Sequence, residues 1–174
     1  MELWWLPMNE VLTSERLRYR RFNEEDFADL YRILGDPIVC LYLPGVTQHT
    51  EEHVRKYLAY FIRTFDSETH QYIYAITCQD AEEVIGYCGC AYVKEFECNE
   101  IKYFFRPDQF GKGYATEAAK RMKQLAQDDG LTHLVGLADI RNIPSQRILE
   151  KIGYIYQKTI PLWGETMKYY TIKL

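Results

Sequence analysis

Glu100-Ile101-Lys102-Tyr103-Phe104-Phe105-Arg106-Pro107, followed by Asp108-Gln109-Phe110-Gly111-Lys112-Gly113-Tyr114-Ala115-Thr116-Glu117, passes from an extended segment through a glycine turn into a helix. The extended part, Glu100 to Phe105, reads as a strand that Arg106-Pro107 ends. The helix is expected over Ala115 to Asp129, closed by Gly130. Its apolar positions are Ala115, Ala118, Ala119, Met122, Leu125 and Ala126. A face this small lets the helix sit close to a sheet. His133 to Asp139 reads as the next strand. Strand, turn, helix and strand make a βαβ unit, so the two strands are expected to be parallel with a right-handed crossover.

Upstream, Leu17 to Phe22 alternates as a first strand. Asn23 offers a helix cap with Glu24, Glu25 and Asp26 in the first turn, and Phe27, Leu30, Tyr31 and Leu34 recur at helical spacing up to Gly35. Asp36-Pro37 and Pro44-Gly45 mark a long connection. Thr50 caps a second helix whose stripe is Val54, Tyr57, Leu58, Phe61, Ile62 and Phe65. Tyr72 to Thr77, Val84 to Val93 and Glu100 to Phe105 read as an antiparallel meander, with Gly86 and Gly89 marking either a bulge or a close backbone approach. Downstream, Pro144 and Ser145 begin a fourth helix that ends at Gly153. Tyr154 to Thr159 and Met167 to Ile172 are the last strands. The expected fold class is α/β: one domain over 1–174, with a mixed central sheet of six or seven strands and about four helices.

The 174 residues fit one domain, and 47% hydrophobic with 15% aromatic residues excludes intrinsic disorder. A net charge of −4 argues against a nucleic-acid partner bound by phosphate neutralisation. No apolar run is long enough to span a bilayer, and Met1 to Pro7 is too short for a signal segment. Five cysteines, an odd number, read as reduced thiols in a cytoplasmic protein. No Cys-x-x-Cys pair occurs and the four histidines are scattered, so no metal site is expected. Trp4 and Trp5 either cover part of the body or touch a membrane or a second subunit. Together with Lys168 to Leu174 they would serve a homodimer.

The glycine turn is the informative motif. Gly111 and Gly113 permit positive φ and a close approach, and the helix start adds free N–H groups and a positive dipole end. Together these suit a phosphate or diphosphate, although a plain turn uses the same residues. A Walker A loop needs Ser or Thr after Gly-Lys, and Gly113 stands there. The dinucleotide fingerprint needs a third glycine, and Thr116 stands there.

Phe110-Gly111-Lys112-Gly113-Tyr114-Ala115 resembles the acetyl-CoA loop of the GNAT N-acetyltransferases, with Phe110 replacing the usual basic or amide residue. That aromatic is similar to the branch holding the ribosomal-protein alanine and serine N-terminal acetyltransferases. So are Leu12 to Arg20, Glu100 to Tyr103, Asn142 to Ser145, and Leu149 to Tyr154.

The resemblance implies acetyl transfer from acetyl-CoA to an amine acceptor by direct attack, with no metal. Main-chain N–H groups of Gly111, Lys112, Gly113, Tyr114, Ala115 and Thr116 would hold the diphosphate. The pantetheine arm would run along the strand edge at Phe104, Phe105 and Arg106. An N–H near Phe104 would polarise the thioester carbonyl. Lys112 and Arg147 would meet phosphates or else remain solvated. Glu100 is the candidate base, or else a strand-end glutamate. Ser145 is the candidate donor to sulfur, or else a helix cap. Leu149 occupies the position where many members carry an acidic tyrosine. Tyr154 would reach the site, and Asn142 would anchor the pantetheine or acceptor, or serve as a turn residue. The acceptor side would come from residues 36–50, the second helix and the loop near Pro161. A catalytically silent acyl-CoA-binding protein on the same fold is the alternative.

Overall fold

The computed structural model describes residues 12–43, 49–65 and 70–174. In chain order the elements are β1 (Leu12–Thr13), β2 (Leu17–Arg21), α1 (Phe27–Leu34), α2 (Pro37–Cys40), α3 (Glu51–Thr64), β3 (Tyr72–Cys78), β4 (Gly86–Val93), β5 (Cys98–Phe105), α4 (Tyr114–Asp128), β6 (His133–Asp139), α5 (Ile143–Lys151), β7 (Ile155–Leu162) and β8 (Glu165–Lys173). One mixed sheet has the order β1-β2-β3-β4-β5-β6-β8-β7. All neighbours are antiparallel except β5 and β6, the parallel pair expected from the βαβ unit. The sheet has eight strands because the short β1 pairs Leu12 with Tyr19 and Thr13 with Arg18. Pro37 opens the short α2, and the Asp36 side chain caps it through the Ile38 N–H at 2.8 Å. Trp4, Trp5, Pro44 and Gly45 lie outside the described residues.

Period-two alternation sends each strand's side chains to two cores. On one face Tyr19, Ile76, Cys88, Cys90 and Ile101 pack against Ala118, Met122 and Leu125 of α4 and Leu149 of α5. On the other, Ile73, Ala75, Tyr87 and Ala91 pack against Leu30 and Leu34 of α1 and Val54, Leu58 and Phe61 of α3. The two helix layers thus cover opposite faces, and β5 lies between them with Ile101, Tyr103 and Phe105 toward α4 and Phe104 toward α3.

Gly89 resolves as a close approach rather than a bulge, because the β4 register runs without interruption from Ile76↔Gly86 to Tyr72↔Cys90. A Cβ at Gly89 would stand 1.9 Å from the Tyr72 carbonyl oxygen, a backbone atom that cannot step aside. Gly89→Ala should therefore destabilise the fold by about 1–3 kcal/mol, read as a lower urea midpoint. An unchanged midpoint would show that β3 and β4 can separate freely.

Candidate active site

β5 ends at Phe105, and one 3-10 turn, Pro107–Gln109, carries the chain into the glycine turn. Gly111 has φ +76° and Gly113 φ +81°, left-handed values that glycine adopts without a Cβ penalty. Gly113 is the N-cap of α4, and no side chain caps that end. The first helical bond runs from the Glu117 N–H to the Gly113 carbonyl at 3.0 Å, and the N–H groups of residues 111–116 have no acceptor among the described residues. A row of free donors therefore lies at the positive end of a 15-residue helix.

This row is braced from outside. Glu117 accepts from the Ser14 hydroxyl (2.6 Å), the Arg16 N–H (2.8 Å) and Arg16 Nε (2.7 Å). Burial alone would push the Glu117 carboxyl up, but these bonds hold it below the usual carboxylate range. Arg16 Nη1 also donates to the Lys112 carbonyl at 2.9 Å, and its guanidinium lies 4.7 Å from the centre of the Tyr114 ring. Lys112 Nζ donates to Gln109 Oε1 at 2.9 Å. Phe110 is 53% exposed at the turn, and Arg147 is exposed on α5 without a partner among the described residues.

Beside the row, the parallel ladder between β5 and β6 consists of the single pair Glu100↔Val135. Beyond it the strands part. The Arg106 N–H donates to the Ile85 carbonyl at 2.9 Å, so alternation turns the main chains of Arg106 and Phe104 toward β4 and those of Tyr103 and Phe105 toward the gap. Of the three edge residues expected from sequence, only Phe105 offers its main chain to the gap. The Arg106 guanidinium is engaged with Glu83 and with Asp108 at 2.9 and 3.0 Å.

The gap has a different side chain on each face. Toward α5, Tyr103 Oη lies 3.0 Å from Ser145 Oγ. The helix cap is Asn142, whose Oδ1 accepts from the Ser145 N–H at 3.1 Å, so the Ser145 hydroxyl is not needed for capping. Leu149 is fully buried against Gly136, where a Cβ would come within 2.6 Å of its methyl. The Tyr154 hydroxyl is buried without a partner, and burial raises its pKa.

Toward α3, Glu100 is 6% exposed. Its Oε2 lies 3.2 Å from Lys102 Nζ, within ion-pair range but without hydrogen-bond alignment, and no other group among the described residues satisfies it. Burial pushes the Glu100 carboxyl up, which outweighs the pull of Lys102 downward. The carboxylate in turn raises Lys102. Lys102 points into a cavity of about 120 Å³ that His49, Tyr57, Tyr60, Phe61 and Phe104 also line. His49 is buried with both ring nitrogens unpartnered among the described residues, and burial, then His53, lowers its pKa.

Several of these contributors carry no recognisable local signal. Ser14 and Arg16 meet Glu117 across about a hundred residues. Tyr103 and Lys102 were findable, since they lie three and two positions from Glu100 on an alternating strand. His49 carried no pattern.

A row of acceptor-free N–H groups at a helix start, beside a strand gap and a buried carboxylate, suits an anionic ligand and proton transfer, as an acyltransferase requires. The family model for the acetyltransferase (GNAT) domain matches residues 16–155, and the chain belongs to that family. An uncharacterised N-acetyltransferase of Bacillus subtilis, YnaD, is 28% identical over 162 residues, covering 88% of this chain and 90% of its own. Among solved structures, a GNAT-family acetyltransferase from Bacillus anthracis superposes with a TM-score of 0.79 at 24% identity, over 94% of this chain and 98% of that one. The ribosomal L7/L12 α-N-protein acetyltransferase RimL, solved in complex with coenzyme A, does so with 0.78 at 17% identity, over 95% and 98%. The last two likenesses concern the fold.

Proposed function

We propose that this chain acetylates a primary amine directly from acetyl-CoA in a ternary complex. The observation that carries the reading is the row of acceptor-free N–H groups at residues 111–116 beside the opening between β5 and β6. Acetyl-CoA, as co-substrate, supplies an acetyl group activated as a thioester. Residues 111–116 hold its diphosphate, and Lys112 in the turn and Arg147 on α5 add charge. Phe110, exposed beside the turn, offers its ring to the same ligand. The main chains of Tyr103 and Phe105 bind the arm along the gap, and an N–H there polarises the thioester carbonyl.

An α-amino group with a pKa near 8 or a lysine near 10.4 arrives largely protonated. Glu100 Oε2, buried and lacking a hydrogen-bond donor, takes one proton from that ammonium. The freed lone pair forms the C–N bond as the C–S bond breaks. The Ser145 hydroxyl, hydrogen-bonded to Tyr103, donates to the departing sulfur, and the second nitrogen proton balances that donation. The products are the acetamide, a thiol and one proton that Glu100 releases to solvent. Because Glu100 and Tyr103 lie on opposite faces of β5, base and donor act from opposite sides of the gap.

Thiol release from acetyl-CoA over a panel of amines tests the reading. Amine-dependent release is expected. Unchanged coenzyme A affinity with no release for any amine would leave a binding protein instead.

A further inference from the structure

The cavity that Lys102 lines, with Glu100 behind Lys102 at 3.2 Å, has its own chemistry. Its walls are mostly aromatic and aliphatic, and Lys102 is the one formally charged side chain among its described liners. Lys102 keeps about a third of its side chain exposed, and it meets Glu100 as an ion pair without hydrogen-bond alignment. Two polar groups at or beside the cavity are more than nine-tenths buried and unsatisfied, Glu100 Oε2 and the His49 ring. On the open side the Trp163 ring lies 5.9 Å from Lys102 Nζ, and its Nε1–H is fixed by Glu95 at 2.9 Å.

A cavity lined by one cation, with its buried anion 3.2 Å behind, matches a ligand that carries the opposite charges at similar spacing and draws the pair apart. The nitrogen and carboxyl carbon of an α-amino acid are about 2.5 Å apart. We infer that this cavity takes a free α-amino acid with an apolar or aromatic side chain, its ammonium at Glu100 and its carboxylate at Lys102. The inference rests on the transferase reading above and names its acceptor. The carboxylate draws the Lys102 ammonium from Glu100, so the base is released when the correct acceptor is seated. The side chain enters the space of about 120 Å³ between the aromatic walls. A polyamine would set a second cation against Lys102, at a cost in like-charge contact. A peptide N-terminus would offer a neutral carbonyl in place of the carboxylate and leave Lys102 without its new partner.

The test measures thiol release by the full chain with L-leucine, L-phenylalanine, their amides, spermidine and a peptide with a free N-terminus. The free acids should exceed their amides in kcat/KM by about a hundredfold, the effect of one charge-assisted contact in a partly dry site, and exceed spermidine and the peptide as well. Lys102→Met should bring the acid-to-amide ratio close to one, while Lys102→Arg should keep it well above one. A merely structural Lys102 would lower both rates together and leave the ratio intact, which would overturn the assignment. Amides, spermidine or the peptide reacting as well as the acids would overturn the acceptor class and leave the transferase reading standing. No release with any amine would overturn both.

Discussion

A Gly113→Val chain should lose acetyl-CoA affinity by at least about a hundredfold in calorimetry while remaining folded. Gly113 has φ +81° and caps α4 without help from a side chain. A β-branched residue is strongly disfavoured there, on the order of 1–2 kcal/mol or more. Space is not the obstacle, since the nearest atom to an added Cβ is Arg16 Nη2 at 3.4 Å. The chain relieves the strain by turning out of the left-handed region, which swings the neighbouring N–H groups out of the donor row. Each such bond to an anion contributes about 1.5–3 kcal/mol, so two misdirected donors account for the loss. The fold survives because the helix body is anchored by Ala118, Met122 and Leu125, and the turn by the Arg16–Glu117 contacts. Normal affinity in the folded variant would refute the assignment of the turn.

Glu100→Gln should lower turnover by roughly 10²–10⁴-fold with coenzyme A affinity retained. The amide keeps the shape and removes the proton acceptor. The pH profile gives an independent reading. Burial raises the Glu100 carboxyl, so the acidic limb of kcat/KM should stand above the ordinary glutamate value of about 4.3, with activity rising as the base ionises. That limb should vanish in the variant. Stability should respond with the opposite sign. A carboxyl whose folded-state pKa exceeds its unfolded one favours folding while protonated, and that contribution is lost as pH rises through the folded value. Above the folded value the ionised Glu100 therefore weakens the fold, and there Glu100→Gln should unfold no earlier than the parent. Equal turnover from pH 6 to 9 in both proteins would remove Glu100 from the mechanism.

The βαβ unit was legible because alternation, a glycine turn and a small-residue helical face fall in succession from Glu100 to Asp128. The donor row followed, since Gly111 and Gly113 signal positive φ wherever a helix must start sharply. β1 was not, because two residues have no period and Leu12–Thr13 is a strand only through its partners in β2. The cap of α5 was ambiguous because Asn142 and Ser145 are both good cap residues three positions apart. Pro144 in the first turn, with Asn142 accepting the Ser145 N–H, settles it. The edge residues were offset by one because the phase of alternation depends on which neighbour takes each N–H, and the Arg106–Ile85 bond fixes it. The cavity was legible in part, since residues 36–50 and the second helix, expected on the acceptor side, supply Leu43, His49, Tyr57, Tyr60 and Phe61, whereas the liners from α1 and three strands meet them only in three dimensions.

Reducing the parallel ladder to Glu100↔Val135 leaves the sheet one strand short along half of its middle. The vacant margin carries amide donors and acceptors at peptide spacing, so a linear guest with amides of its own completes the pleat as a missing segment of polypeptide would. Such a guest would be recognised by backbone periodicity, while the side chains of Tyr103 and Phe105 stay committed to Ser145 and to the core.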